Sequence, residues 1–147
     1  MRLLLAAALA VALMLAPTSM TAAAGAANPM VDKINQTRAA HGLPPLRESA
    51  SLTRSSQRYG HTLMRANRFG HSSRIRASGR FRRLGEILAL HRGWKLRRAY
   101  TVRAWLNSPP HRSVILSRSF RYVGAWAVKG KMGRGRSTVW VAHFGRR

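Results

Sequence analysis

Two apolar segments near the C-terminus, Tyr122–Lys129 and Ser137–Phe144, constrain the fold more than any other part of the chain. Val123, Ala125 and Ala127 alternate with Tyr122, Trp126 and Val128, and Val139, Val141 and His143 alternate with Trp140 and Phe144. Successive side chains of a strand point to opposite faces, so a strand apolar on both parities needs cover on both sides. The pair predicts a sheet between helices. Gly130–Arg136, with glycines at 130, 133 and 135, predicts a flexible hairpin loop joining the two strands.

The preceding sequence supplies the helices. Pro29–His41 reads as a helix with Met30, Ile34 and Ala40 facing inward and Gly42 at its stop, followed by an extended connector, Leu43-Pro44-Pro45-Leu46. A second helix runs from Ser49 to about Asn67, capped by Ser49 or Ser51, with Leu52, Ser56, Tyr59, Leu63 and Ala66 on one face. Gly60 weakens its middle by about 1 kcal/mol relative to alanine. Phe69–Ser73 is a loop that places His71 just beyond this helix, and Arg74–Leu84 reads as a loop with room for one helical turn. Gly85–Leu90 is a short apolar run that holds Glu86, the only acid in the second half of the chain. A third helix over Leu96–Asn107 carries Leu96, Ala99, Tyr100, Trp105 and Leu106.

That helix meets a corner. Ser108 precedes Pro109 and is pushed towards extended angles, so the helix ends near Asn107. Ser108 can then cap a new helix that starts at Pro109, where the missing N–H costs nothing. His111 is thereby presented from a rigid turn.

The length fits one domain and one core. Met1-Arg2, an apolar run from Leu3 to Ala16 and the small residues Ala22–Ala27 read as a secretory leader, 1–27, ahead of a domain at 28–147. A membrane anchor is the competing reading, but Pro17, Thr18 and Ser19 interrupt a run that is shorter than the ~20 residues needed to span a bilayer. The absence of cysteine leaves stability to the core alone, and suits a bacterial exported protein better than a small disulfide scaffold. Twenty-seven Lys and Arg face only Asp32, Glu48 and Glu86, which predicts attraction to polyanions such as nucleic acid, anionic lipid or wall polymer. The same imbalance leaves acid–base and metal chemistry almost no carboxylates.

His71, Glu86 and His111 are the most suggestive set: two imidazoles and a carboxylate can hold a divalent cation such as zinc with a position open to water. Their spacing matches no local metal motif, and each has a plain alternative as a surface histidine, an arginine-paired glutamate or a histidine at a helix start. His41 is placed to meet a helix terminus, His61 and His91 have no partner acid, and His143 is either a packed core histidine or a cleft residue. No glycine-flanked serine or triad is evident. Arg74, Arg76, Arg80, Arg82 and Arg83, with Phe81 among them, form a basic cluster able to grip a polyanion or simply to face solvent.

The order of several features resembles the bacterial branch of the CAP superfamily, also called SCP or PR-1-like. They are Asn35 and Arg38, Gly42–Leu46, Phe69-Gly70-His71, Gly85-Glu86, Trp105–Arg112, Val123-Gly124 and Phe144-Gly145. The resemblance spans about Met30 to Gly145. It implies an α/β fold, an α-β-α sandwich with a small antiparallel sheet between helical layers, and a central cleft of two histidines and two acids that can bind divalent cations. By this resemblance His71, Glu86 and His111 are cleft residues and the candidate metal ligands. Ile87 stands where the family has asparagine, and no Asp or Glu follows Glu86 to act as the second acid.

Three functions follow as expectations. The first is an exported, non-enzymatic CAP-domain protein that binds a lipid or anionic envelope component through its cleft and basic surface. The second is a metal-assisted hydrolase using His71, Glu86 and His111. The third is a cationic nucleic-acid- or membrane-binding protein. The sequence assigns no oligomeric state and no catalytic residue.

Overall fold

A computed structural model describes residues 28–147, so the expected leader at 1–27 lies outside the described residues. Its elements run α1 Pro29–Ala40, β1 Arg47–Glu48, α2 Ala50–Arg65, β2 Arg83–Arg92, α3 Arg98–Leu106, α4 Pro109–Ile115, β3 Tyr122–Met132 and β4 Gly135–Arg146. The sheet order is β1-β3-β4-β2. The three long strands pair antiparallel, while the two-residue β1 adds a parallel edge.

Both faces of this sheet are covered, as the two-sided apolar strands require. On one face Trp140, Ala142 and Phe144 of β4 join Ile87, Val123 and Ala125 against Met30 and Ile34 of α1, Val102 and Trp105 of α3, and Ile115 of α4. On the other, Val139 and Val141 pack with Leu88 and with Leu63 of α2. The result is the predicted α-β-α sandwich, with α2 alone forming one layer. No helix among the described residues is long and apolar enough to cross a membrane.

Glycine sets how closely α2 approaches the sheet. A Cβ on Gly124 would run into the Thr53 amide nitrogen, and one on Gly60 would stand 2.7 Å from a Val128 methyl. Gly60 is therefore a packing requirement and not merely a soft point in the helix.

Arg38 fastens the opposite layer. Its side chain is fully buried, donating from Nε to the Pro44 carbonyl at 3.0 Å and from Nη1 to the carbonyls of Ile115 at 2.6 Å and Ser117 at 3.0 Å. The charge is met by carbonyl dipoles, two of them around the C-terminus of α4, where the macrodipole favours a cation. Burial, followed by the positive charges of Arg121 and Arg118, holds its pKa below the ordinary arginine value.

Several local expectations change. The inward positions of α1 include Arg38, and Ala40 is exposed. Ala66 is likewise exposed, beyond the end of α2, whose N-cap is Ser49. Arg74–Arg82 has no helical turn, and the short apolar run around Glu86 is the centre of the ten-residue strand β2. The expected flexible loop Gly130–Arg136 is mostly strand, because β3 and β4 pair as far as Met132 and Gly135 and leave only Gly133-Arg134 to turn. In α3 the buried face is Thr101, Val102 and Trp105, while Ala99 and Tyr100 face outward.

Candidate functional site

The site is built around Glu86. Antiparallel pairing of β2 with β4 sets Glu86 directly opposite His143, and paired residues share a face of the sheet. That face looks towards α2, which brings Ser55 and Tyr59. The loop beyond α2 then returns to the strand, its course fixed where the Tyr59 hydroxyl donates to the Gly70 carbonyl at 2.7 Å. This tether puts His71 and the Ser72 amide beside the carboxylate.

Three donors converge on Glu86, whose side chain is only 6% exposed. Oε1 accepts from His71 Nδ1 and from the Ser72 backbone N–H, both at 2.9 Å, and Oε2 accepts from His143 Nε2 at 2.9 Å. An ionised carboxylate only accepts, so His71 is protonated at Nδ1 and His143 at Nε2. His143 is 1% exposed and completes its bonding at 3.0 Å with the Ser55 hydroxyl through Nδ1. Burial alone would raise the Glu86 carboxyl; the hydrogen bonds from His143, Ser72 and His71 outweigh it, so its pKa lies below the ordinary carboxylate value. The charge on Glu86, after burial itself, in turn raises the Tyr59 phenol.

His111 joins from the other side. Its ring centroid lies 6.5 Å from that of His71, with the planes 34° apart. It occupies the first turn of α4, where Pro109 and Pro110 have no N–H to be capped. The Ser108 hydroxyl, expected to cap this helix, instead meets His111 Nδ1 at 2.8 Å and makes no capping bond. The corner thus fixes the imidazole itself. Burial, then the charge of His71, holds the His111 pKa below the ordinary histidine value.

Of the three residues singled out from sequence, His71 and Glu86 are in direct contact and His111 is their neighbour. The missed member is His143. The two readings offered for it merge, since it is a buried histidine that also faces the cleft carboxylate. His91 bonds the Thr101 hydroxyl at 2.8 Å and His41 takes the Thr37 carbonyl at 2.9 Å, so both serve local structure.

His71, Glu86 and His111 do not stand as a ready three-ligand group in this structure. Both Glu86 oxygens are committed to donors, and no group of three or more His, Asp or Glu side chains among the described residues is placed to hold an ion. The ring nitrogens of these residues left without a hydrogen-bond partner among the described residues are Nε2 of His71 and Nε2 of His111.

Beside this node runs a cleft of about 780 Å³ between α2 and the segment 71–76, with His71 and His143 among its walls. Arg58, Arg65, Arg68, Arg74 and Arg76 line it, and among the described residues no carboxylate does.

A sheet covered by one helix on one face and three on the other, with an imidazole–carboxylate–imidazole node at the edge of a cleft, defines the class of CAP-like α-β-α sandwiches. The family profile named CAP, cysteine-rich secretory protein family, matches residues 31–144, and the chain belongs to that family. Solved structures agree on the fold. An outer surface protein from Borrelia burgdorferi superimposes with a TM-score of 0.67 at 21% identity, over 81% of this chain and 90% of that one. An extracellular protein containing an SCP domain from Bacillus anthracis gives 0.63 at 21% identity, over 81% of this chain and 39% of the other. A cysteine-rich secretory protein from Staphylococcus aureus gives 0.52 at 13% identity, over 81% and 37%. No curated protein sequence matches the chain.

Proposed function

We propose that this is an exported CAP-domain protein that binds an anionic envelope component in the arginine-lined cleft and does not turn it over. The observation that carries the reading is the cleft's composition: five arginines and no lining carboxylate among the described residues. Guanidinium groups present paired donors matched to phosphate or carboxylate oxygens, and a net formal charge of +24 draws such a ligand from a distance. A general base needs a proton affinity near the working pH, whereas Glu86 is buried, triply bonded and held ionised. A metal-assisted hydrolase would need Glu86 released from His143 before it could act as a ligand.

The test is calorimetry with anionic wall polymer, anionic lipid vesicles and single-stranded nucleic acid, at low and moderate salt. The expected result is tightest binding to wall polymer, weakened by salt through counterion release and reduced at least tenfold in the triple variant Arg65→Gln, Arg68→Gln, Arg74→Gln. Absence of binding to every probe at both salt levels, or equal affinity in the triple variant, would overturn the proposal. Equal binding to nucleic acid and polymer, insensitive to the cleft variant, would assign the function to the cationic surface at large.

A further inference from the structure

Another cavity runs along the outer edge of β3, on the far side of the sheet order from β2. β1 covers only the start of this edge, at Tyr122 and Val123. There the Arg47 amide donates to the Arg121 carbonyl and the Ser49 amide to the Val123 carbonyl, both at 2.9 Å. A strand's N–H and C=O groups alternate sides, so Ala125, Ala127, Lys129 and Lys131 face the same way. The Asn28 side chain donates to the Ala125 carbonyl at 2.8 Å. Beyond it, no described residue hydrogen-bonds the outward amides and carbonyls of Ala127, Lys129 and Lys131.

Ala127 and Lys129 of this bare edge line a groove of about 670 Å³ whose walls are largely apolar, with Trp126 and Val128 on one side of the strand and Leu96 and Trp140 contributing on the other. Trp126 is 40% exposed. Glu48, the one lining carboxylate, accepts from the Thr53 hydroxyl at 3.2 Å. A strand edge with free backbone groups between apolar walls is what an incoming extended peptide uses: main-chain bonds supply affinity, and alternate side chains enter the walls.

We propose that the Ala127–Lys131 edge receives an extended, acidic peptide segment of a partner protein as an added strand. Charge selects this occupant. Edge lysines guard a sheet against pairing with a second copy, and here Lys129 and Lys131 sit on a chain of net formal charge +24, so self-pairing brings like charges into register. A partner strand with alternating carboxylates meets the same lysines favourably.

The probe is a short capped peptide of alternating glutamate and valine, compared with its lysine–valine counterpart at moderate salt. The glutamate peptide should bind, change Trp126 emission, and slow hydrogen exchange at the outward amides of Ala127 and Lys129. The lysine peptide should not. Ala127→Pro removes an outward N–H that the β4 ladder does not use, and should cut affinity at least tenfold. The exchange measurement on the unmodified protein decides the matter even where that variant folds poorly. Failure of the glutamate peptide to bind, binding that leaves Ala127 and Lys129 unprotected, or a concentration-dependent dimer that protects the same amides without peptide would overturn the proposal.

Discussion

Replacing Glu86 by Gln tests whether the carboxylate is the structural node of the cleft. Glutamine keeps the volume but removes the charge, and its amide end directs donors at a neighbour that already donates. The His143 bond is the costly one, because both partners are buried. A charged hydrogen bond contributes about 1.5–3 kcal/mol, and a buried donor left unsatisfied costs about 1–3 kcal/mol. The His71 bond adds little, its side chain being 62% exposed and screened by solvent. Allowing His143 to change tautomer and recover part of the loss, the expected net cost is about 2–4 kcal/mol. For a domain of roughly 120 residues this lowers Tm by about 8–16 °C at neutral pH, at about 4 °C per kcal/mol. The pH dependence has a definite sign. The Glu86 pKa is depressed on folding from an ordinary value of 4.5, so its contribution is present above that value and is lost as pH falls through the folded pKa. Thermal unfolding by circular dichroism should therefore show a gap between the native and Glu86→Gln proteins at about pH 7 that narrows as the pH falls below 4.5 towards the folded pKa. A gap under about 1 °C at neutral pH, or one equally wide in acid, would refute the reasoning.

Ser108→Ala should leave Tm within about 4 °C, since the lost bond is a single neutral one, yet move the ring nitrogen resonances of His111 while leaving those of His143 in place. Gly124→Ala should cost about 3 kcal/mol or more in urea unfolding, because the new methyl meets the backbone of Leu52 and Thr53. Gly60→Ala meets only the Val128 and Val141 side chains; a helix gain of about 1 kcal/mol offsets part of an overpacking cost of about 1–3 kcal/mol, so its loss in the same assay should be smaller than that of Gly124→Ala. Arg38→Met should destabilise by about 2–4 kcal/mol by chemical denaturation, as three carbonyls lose a charged donor while the desolvation of a buried cation is relieved.

The elements legible in the sequence are those whose signals are local. Ser49 as a cap and apolar residues recurring every third or fourth position mark α2, and Pro29 and Gly42 bracket α1, because capping and helical periodicity are written in neighbouring residues. The two-sided apolar strands correctly demand helices on both faces. β2 is different. Its ends carry Arg83, His91 and Arg92, and its strand character comes from ten residues of register with β4, a pairing partner distant in the sequence. The hairpin is shorter than composition suggests for a related reason: three glycines permit a loop, but cross-strand pairing through Gly130 and Gly135 takes them into the ladder.

The same non-locality governs the site. His71 and Glu86 meet because the tether at Gly70 folds the loop back, and His111 is aimed by a serine–proline corner that can be read in the sequence, although the serine holds the ring and does not cap the helix. His143 could be joined to Glu86 only by knowing that β2 exists and that Glu86 falls opposite it in register. That one pairing alters the chemistry expected of the carboxylate. With His71 and His111 alone, Glu86 would have a free oxygen with which to bind a cation or accept a proton. With His143 on Oε2 and both His71 and Ser72 on Oε1, three of its roughly four acceptor sites are taken, and its negative charge holds two imidazoles in place. The formally charged side chains that line the cleft are arginines, and among the described residues no carboxylate joins them there.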